Sequence, residues 1–484
     1  MEKIFDSVKE LDRRAEETFD LKNGVLMEQA ARGMAEYIRR YLSSGLPESS
    51  DSEQPLVQII CGSGDNGGDG FALARMLTDF CRVRTVSVQA PKSPLCKLQR
   101  ERLERLGLPV YTEPEYQCTV LVDAVFGTGI HGTLNETMCA VIDQLNTIRG
   151  YKIACDIPSG LNEFGTPSPV AFRADATCTM GALKTALYAD TAKDYTGTVH
   201  LLNLGLPRHC YEGETDTFLL SAADMRLPHR ILQNTHKMNY GHGLFFCGEK
   251  PGACTLAASA ALYFGIGLVT VFGEPIPAAL PDFMYTSQLP ETFSASMIGS
   301  GLGKSAGIRT QALTLLSYTQ IREKPLILDA DILHYEELPT LLPAFKRPIL
   351  TPHPKEFQSL LANSGIAKVS IEEIQTRRFA YLRLFCNTFP HAVTILKGAY
   401  PLIGHGAHIF VNPLGSNALA KAGTGDVLSG MITALAAQGY SPVEAACTAS
   451  LAHAEAAKLL HTDYGLTASG LAAAVSKLGV PKST

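Results

Sequence analysis

Short apolar runs alternate with stretches of helical periodicity along most of this chain. In the first half, Leu56–Cys61, Val83–Val88, Thr119–Val122, Tyr151–Cys155 and Thr198–Leu202 read as strands, with Phe71–Phe80 as a helix after the first of them. Strand and helix in regular alternation predict an α/β fold with parallel sheets and helical crossovers. The rhythm lapses between about Gly205 and His236, where two prolines and mixed charge replace it, so a boundary is expected there, between domains 1–215 and 222–484. A second alternation follows, with strands expected at Gly243–Cys247, Leu268–Phe272, Leu326–Leu328, Pro348–Leu350 and Val393–Leu396. Alanine-rich helices at Val427–Ala437 and Pro442–Leu460 close it. Pro251 to Gly273 carries no charge and approaches the ~20 residues of a bilayer crossing. Gly265 and Gly267 interrupt it, and a small-residue helix running into the strand Leu268–Phe272 is the reading kept.

Composition narrows the class. Apolar residues make up 46% of the chain and charged residues 18%, which describes a soluble globular protein. A net charge of −5 with scattered basic residues gives no field for nucleic acid. The 12 cysteines contain no C-x-x-C pair, which argues against structural zinc and a disulfide framework and for buried thiols in a reducing cytoplasm. The opening MEKIFDSVKELDRRAEE is too charged for a signal peptide.

Chemistry concentrates at two glycine-rich segments of different type. CGSGDNGGDG (Cys61–Gly70) follows a buried strand and precedes a helix, an order that builds an anion nest. Asp123 and Asp156 end the strand-like words TVLVD and YKIACD, where crevices form in open α/β sheets. With the Asn66 carbonyl and the Ser159 hydroxyl they offer hard oxygen donors suited to an alkali or alkaline-earth cation. Taken singly, either aspartate is as well explained as a loop cap. In the second half, AGTGDVLSG (Ala422–Gly430) predicts a helix over Thr424–Ala437 with free N–H groups at its positive end. Asp426 beside them is placed either to take a proton from a hydroxyl attacking phosphorus or merely to complement the dipole.

Read together, NGVLMEQA (Asn23–Ala30), CGSGDNGGDGFALAR (Cys61–Arg75), DAVFGTG (Asp123–Gly129) and DIPSGL (Asp156–Leu161) resemble the NAD(P)H-hydrate epimerase domain, a Rossmann-like fold. The resemblance implies a potassium ion held by Asn66, Asp123 and Ser159. It further implies contacts to the hydrated nicotinamide nucleotide from Asp65, Asn66, Gly67, Gly68 and Asp69, from Gly127, Thr128, Gly129, Ile130, His131, Gly132 and Thr133, and from Asp156. Asp123 or Asp156 would be the proton-transfer group. Asp65 stands where the family carries asparagine, and its charge is expected to weaken binding unless the cation neutralises it or the side chain turns outward.

The words HKMNYGHGLFFCG (His236–Gly248), GSGLG (Gly299–Gly303), LDAD (Leu328–Asp331), TPHPKEF (Thr351–Phe357) and KGAY (Lys397–Tyr400) with GTGD resemble the ADP- or ATP-dependent NAD(P)H-hydrate dehydratase domain, which has a ribokinase-like fold. That resemblance implies Ala257, Gly301, His353 and Asp426 at the hydrated nucleotide. Lys397, Gly398, Ala399, Tyr400, Pro401 and Gly425 would surround the adenine nucleotide, with Mg2+ accompanying it. Ser300 replaces the family's proline, a change expected to matter little because the glycines remain, and Pro401 removes one nucleotide contact. Family likeness also implies a homo-oligomer, although no apolar stripe marks an interface. The joint expectation is an enzyme that epimerises R and S hydrates of NADH and NADPH and dehydrates the S form, Asp426 acting as base. The alternative is a ribokinase-like small-molecule kinase joined to a non-catalytic Rossmann-like interaction module.

Overall fold

The computed structural model describes residues 1–44, 54–129, 132–273 and 280–479; Ile130 and His131 lie outside the described residues. The chain forms two compact units, one of Lys3–Thr215 and one of Met1–Glu2 with Asp216–Thr484.

The first unit is built on seven strands: β1 (Leu56–Cys61), β2 (Arg82–Ser87), β3 (Val110–Tyr111), β4 (Gln117–Ala124), β5 (Arg149–Cys155), β6 (Ala176–Met180) and β7 (Thr198–Leu202). All neighbours are parallel, in the order β3-β2-β1-β4-β5-β6-β7. The order reverses direction between β1 and β4, which opens a crevice beyond their carboxyl ends. Separate apolar clusters cover the sheet, one with Phe71, Leu73 and Met34, the other with Ile142, Leu145 and Phe172. Strand β6 escapes the sequence pattern because ATCTM mixes threonine with small residues and lacks a branched apolar run.

One expectation is corrected here. The helix after β1 spans Asp65–Leu77 and so starts six residues before Phe71, inside the glycine-rich segment. None of the glycines from Gly62 to Gly70 has a positive φ. They serve close approach: a β-carbon on Gly62 would stand 1.9 Å from the Val125 carbonyl oxygen, and one on Gly67 2.1 Å from that of Gly62. The segment is therefore a helix start pressed onto the sheet, where a tight loop is the expectation.

In the second unit β8 (Thr217–Leu219), β9 (His242–Phe246), β10 (Leu268–Phe272), β11 (Met284–Thr286), β12 (Ala295–Ile298), β13 (Pro325–Leu328), β14 (Arg347–Leu350), β15 (Val393–Leu396), β16 (Leu402–His405) and β17 (His408–Val411) lie in the order β11-β10-β9-β12-β13-β14-β15-β16-β17-β8. Strands β9 to β15 pair in parallel, and β16 is antiparallel to both β15 and β17. Strand β8 falls in the stretch read as rhythmless, being too short at three residues to register as a pattern. The uncharged stretch forms the helix Pro251–Tyr263 and then β10, and no helix among the described residues is long and apolar enough to cross a membrane. That helix packs against Thr424–Ala437, which runs over the expected residues.

Candidate active sites

In the first unit a cavity of about 910 Å³ opens at the β1/β4 crevice. Its wall includes Asp65, Asn66 and Asp69 from the start of the Asp65–Leu77 helix, Gly127, Thr128, Gly129 and Thr133 from the turn after β4, and Asp156 from the end of β5. Lys9, Asp12, Arg13, Glu16 and Tyr211 complete an unexpected flank of mixed charge. Volume and mixed lining suit an organic ligand of several rings. Asp65 is exposed and is the first helical residue, so its carboxylate complements the helix dipole, and it lines the cavity. Gly132 is exposed, and Gly67 and Gly68 are buried in the helix start.

The two strand-end aspartates differ in kind. Asp123 is fully buried. Its Oδ2 accepts from the Ser159 amide at 2.8 Å, and its Oδ1 accepts from the Ser159 hydroxyl at 2.6 Å and the Val125 amide at 3.2 Å. Burial pushes the carboxyl up to about 6 against those hydrogen bonds. The Ser159 hydroxyl also accepts from the Phe126 amide at 2.8 Å. Asn66 is buried, its Nδ2 has no hydrogen-bond partner among the described residues, and its Oδ1 faces Gly127. The Asp123 carboxylate, the Ser159 hydroxyl and Asn66 Oδ1 are hard oxygen donors of the kind potassium takes, whereas the unpartnered Asn66 Nδ2 is a donor and no cation ligand.

Asp156 reaches the cavity and adopts a left-handed backbone conformation, φ +69°. Its Oδ1 accepts from the Lys184 ammonium at 2.7 Å and from the Met180 amide at 3.1 Å. Lys184 is buried and also donates to the Thr179 hydroxyl at 2.8 Å and the Met180 carbonyl at 3.1 Å. Burial holds Asp69 well above the usual carboxylate range, and the carboxylates of Asp156, Asp65 and Asp12 push it the same way. Burial also raises Asp12, which accepts from the Tyr211 hydroxyl at 2.6 Å. Sequence reasoning misses Lys184, Asp12 and Tyr211; a lone lysine inside the apolar word GALKTALY is the only trace that could have found the first.

The second constellation gathers at the carboxyl ends of β12 to β15 and the amino end of Thr424–Ala437. Gly423 caps that helix at φ +88° with no side-chain hydrogen bond; the Thr424 amide donates to the Lys421 carbonyl at 3.4 Å, and the Gly425 and Asp426 amides follow it at the helix start. Asp426, half-buried in the first turn, is pushed up to about 6 by burial, with Ser300 and Lys397 drawing it down and Asp329 and Asp331 raising it. The Lys397 ammonium donates to Asp329 Oδ1 at 2.7 Å, and the Ser429 hydroxyl to Asp329 Oδ2 at 2.7 Å. Burial alone would lower Lys397, but Asp329 and Glu356 more than offset it and hold it above its ordinary value. Gly425 stands directly under the ammonium: a β-carbon there would lie 3.3 Å from Nζ.

His353 caps the helix Pro354–Asn363: its Nδ1 accepts from the Glu356 amide at 3.1 Å, and the Glu356 carboxylate accepts from the His353 amide at 2.8 Å. Burial lowers the imidazole, aided by Lys397, and raises Glu356 to about 7. Gly301 and Ala257 are buried, Ala257 with its backbone carbonyl against Gly430. Gly398 and Ala399 are exposed beside the buried Tyr400, and Pro401 accepts from the Asn412 amide at 3.0 Å. Buried Arg378 clamps this turn, donating to the carbonyls of Tyr400 at 3.0 Å, Leu396 at 2.9 Å and Lys397 at 3.1 Å. Burial lowers His453 to about 4, and it bonds the Thr424 carbonyl at 2.9 Å. Arg378 and His453 leave no signal in the sequence, whereas Asp329 sits in LDAD at a strand end. Among the described residues no group of three or more His, Cys, Asp or Glu side chains is arranged to hold a metal ion.

Comparison with known proteins matches the chain to two family models. The model described as YjeF-related protein N-terminus matches residues 23–186, and that described as NAD(P)H-hydrate dehydratase matches residues 244–477. The bifunctional NAD(P)H-hydrate repair enzyme Nnr of Helicobacter pylori is 39% identical over 474 residues, covering 96% of this chain and 97% of that protein. The Escherichia coli K12 protein of the same name is 31% identical over 434 residues, covering 84% and 81%. A solved ADP/ATP-dependent NAD(P)H-hydrate dehydratase from Bacillus subtilis, co-crystallised with ATP/Mg2+, is 30% identical with a TM-score of 0.44, covering 52% of this chain and 92% of that one.

Proposed function

The chain belongs to the bifunctional NAD(P)H-hydrate repair enzymes, and from that premise we propose how its residues divide the work. Its first unit interconverts the R and S hydrates of NADH and NADPH, and its second dehydrates the S hydrate. ADP or ATP is the phosphoryl donor, ADP leaving as AMP. The hydroxyl at C6 of the hydrated ring is a poor leaving group. Asp426 takes its proton while its oxygen attacks the terminal phosphorus, and the bond from phosphorus to the nucleotide breaks. The open amides at the amino end of Thr424–Ala437 hold the charge developing on the transferring group. The C6–O bond then breaks, phosphate departs with the electron pair, and loss of the C5 proton restores the ring double bond.

Lys397, paired with Asp329, offers its ammonium to the nucleotide beside Gly425, with Gly398, Ala399, Tyr400 and Pro401 forming the turn around it. His353, Gly301 and Ala257 belong to the hydrate's side of the site. Magnesium would accompany the nucleotide's phosphates and neutralise their charge. In the first unit Asn66, Asp123 and Ser159 would hold potassium, whose charge supports the anionic nucleotide. Asp156 is the group that moves the proton, because it faces the cavity, whereas both Asp123 oxygens are engaged by Ser159 and Val125. The remaining residues of Asp65–Asp69 and of the 127–133 turn contact the substrate. All 12 cysteines are free, which fits work in a reducing cytoplasm.

The observation that carries the dehydratase assignment is a carboxylate with raised proton affinity standing among open helix amides, beside the Lys397–Asp329 pair. Its test uses separated R and S hydrates with and without ADP or ATP. Wild type is expected to return both to reduced-nicotinamide absorbance when nucleotide is present. Asp426→Asn is expected to lose about 10²–10⁴-fold in dehydration, and wild-type rates in that variant would remove its role. Phosphoryl transfer to the hydroxyl without return of absorbance would instead favour the kinase alternative, which near full-length likeness to repair enzymes already disfavours.

A further inference from the structure

Asp12 shares the wall of the first unit's cavity with Asp156 and Tyr211, and neither Asp12 nor Tyr211 lies within the matched residues 23–186. Asp12 comes from the helix Lys9–Phe19 and Tyr211 from the short helix Arg208–Tyr211. The Tyr211 hydroxyl donates to Asp12 Oδ1 at 2.6 Å, and no hydrogen bond among the described residues engages Oδ2. Tyr211 cannot turn away. It is 3% exposed and packed with Leu11, Ala15 and Ala182, and a β-carbon on Gly181 would stand 2.5 Å from its hydroxyl. Gly181 follows Met180, whose amide donates to Asp156 Oδ1 at 3.1 Å. A continuous run of contacts thus leads from Asp12 through Tyr211 and the Met180–Gly181 backbone to Asp156. Its two ends differ in partner: Asp156 has the Lys184 ammonium at 2.7 Å, and Asp12 has a phenol. Burial raises Asp12 against that phenol's hydrogen bond, which suits it to hold a proton. Asp69 lines the same wall, but no hydrogen bond among the described residues orients its carboxyl.

On the reading of Asp156 as the group that moves the substrate's proton, we propose that Asp12 is a second catalytic residue of the epimerase, its Oδ2 giving a proton to the ring nitrogen N1 while Asp156 takes one from the C6 hydroxyl. In the hydrated ring, C6 carries both that hydroxyl and N1. As the hydroxyl proton passes to Asp156, the O–H electron pair closes a C6=O double bond and the C6–N1 bond breaks. Its electron pair stays on N1 and takes the Asp12 proton. The opened aldehyde turns about C5–C6 and presents its other face. Reclosure reverses each step: N1 returns its proton to Asp12 and bonds C6 again, and the oxygen recovers a proton from Asp156. Both carboxyls end as they began, no co-reactant is consumed, and only the configuration at C6 has changed. Tyr211 is a positioning residue, which fixes Oδ1 and leaves Oδ2 for the substrate.

The experiment follows the interconversion of chromatographically separated R and S hydrates by the full chain in potassium buffer. Nucleotide is omitted so that the dehydratase idles, and spontaneous epimerisation is subtracted. Asp12→Asn keeps the shape and an acceptor for Tyr211 but has no acidic proton to transfer. Its kcat is expected to fall about 10²–10⁴-fold with KM within about threefold of wild type. An unchanged kcat, with or without a raised KM, overturns the role of Asp12, and an inactive Asp156→Asn in the same assay then leaves the reading of Asp156 standing. Wild-type epimerisation by Asp156→Asn overturns both. Should thermal unfolding show that Asp12→Asn does not fold, Tyr211→Phe keeps the carboxyl and removes its donor. That variant is expected to lose about threefold to tenfold in kcat at unchanged KM, and a wild-type kcat there counts equally against the proposal.

Discussion

Asp156 sits at φ +69°, a backbone conformation that a side chain tolerates only where its surroundings fix it. What fixes it is Lys184, 2% exposed, whose ammonium binds the carboxylate and the neighbouring Thr179 and Met180 oxygens. Removing one partner of such a buried pair strands the other charge, at about 3–5 kcal/mol. Lys184→Met is therefore expected to destabilise the Lys3–Thr215 unit by about that amount and to stop epimerisation while S-hydrate dehydration persists. Thermal unfolding and the two-hydrate assay check it, and an unchanged transition would mean that the carboxylate is neutralised otherwise. Residues differ in how far their roles are legible. Asp123 and Asp156 are legible because each ends an apolar run where crevices open. Lys184 is not, because its partner is 28 positions away and meets it only once β5 and β6 lie side by side.

At the scale of elements, glycine does different work in the two glycine-rich helix starts. Gly423 needs its positive φ to cap a helix, whereas Gly62 and Gly67 need only the missing β-carbon. Composition cannot separate these uses, so the boundary after GTGD is readable and that after β1 is placed six residues late. The alanine-rich helices are equally plain as elements, while their crossing is not. It occurs at Gly430, where an added β-carbon would stand 2.0 Å from the Ala257 carbonyl oxygen. An alanine in mid-helix normally gains about 1 kcal/mol over glycine. Here the contact is with rigid backbone, so the overpacking penalty of about 1–3 kcal/mol wins. Gly430→Ala is expected to lower the melting temperature of the second unit and weaken hydrate binding through displaced Ala257; a variant more stable than wild type would show that the helices can separate freely.

At the scale of the whole molecule, each activity rests on residues of its own unit. The lining of the β1/β4 cavity lies entirely within Lys3–Thr215, and Asp329, His353, Lys397 and Asp426 lie within Asp216–Thr484. The residues proposed for each chemistry lie in one unit, so single substitutions are expected to dissect the two activities. Asp156→Asn is expected to dehydrate S hydrate at the wild-type rate and to leave R hydrate at the spontaneous rate. Asp426→Asn is expected to equilibrate the two hydrates and regenerate neither. The informative measurement is the equimolar mixture of both variant proteins supplied with R hydrate and ADP or ATP. S hydrate released by the Asp426→Asn protein must cross bulk solvent to reach an intact dehydratase site on the Asp156→Asn protein. Regeneration should then follow a lag that shortens in proportion to total protein and end at the wild-type yield. Failure of the mixture, with each variant folded and showing its retained activity, would mean that the intermediate passes within one molecule and that independence of the two sites stops at their residues.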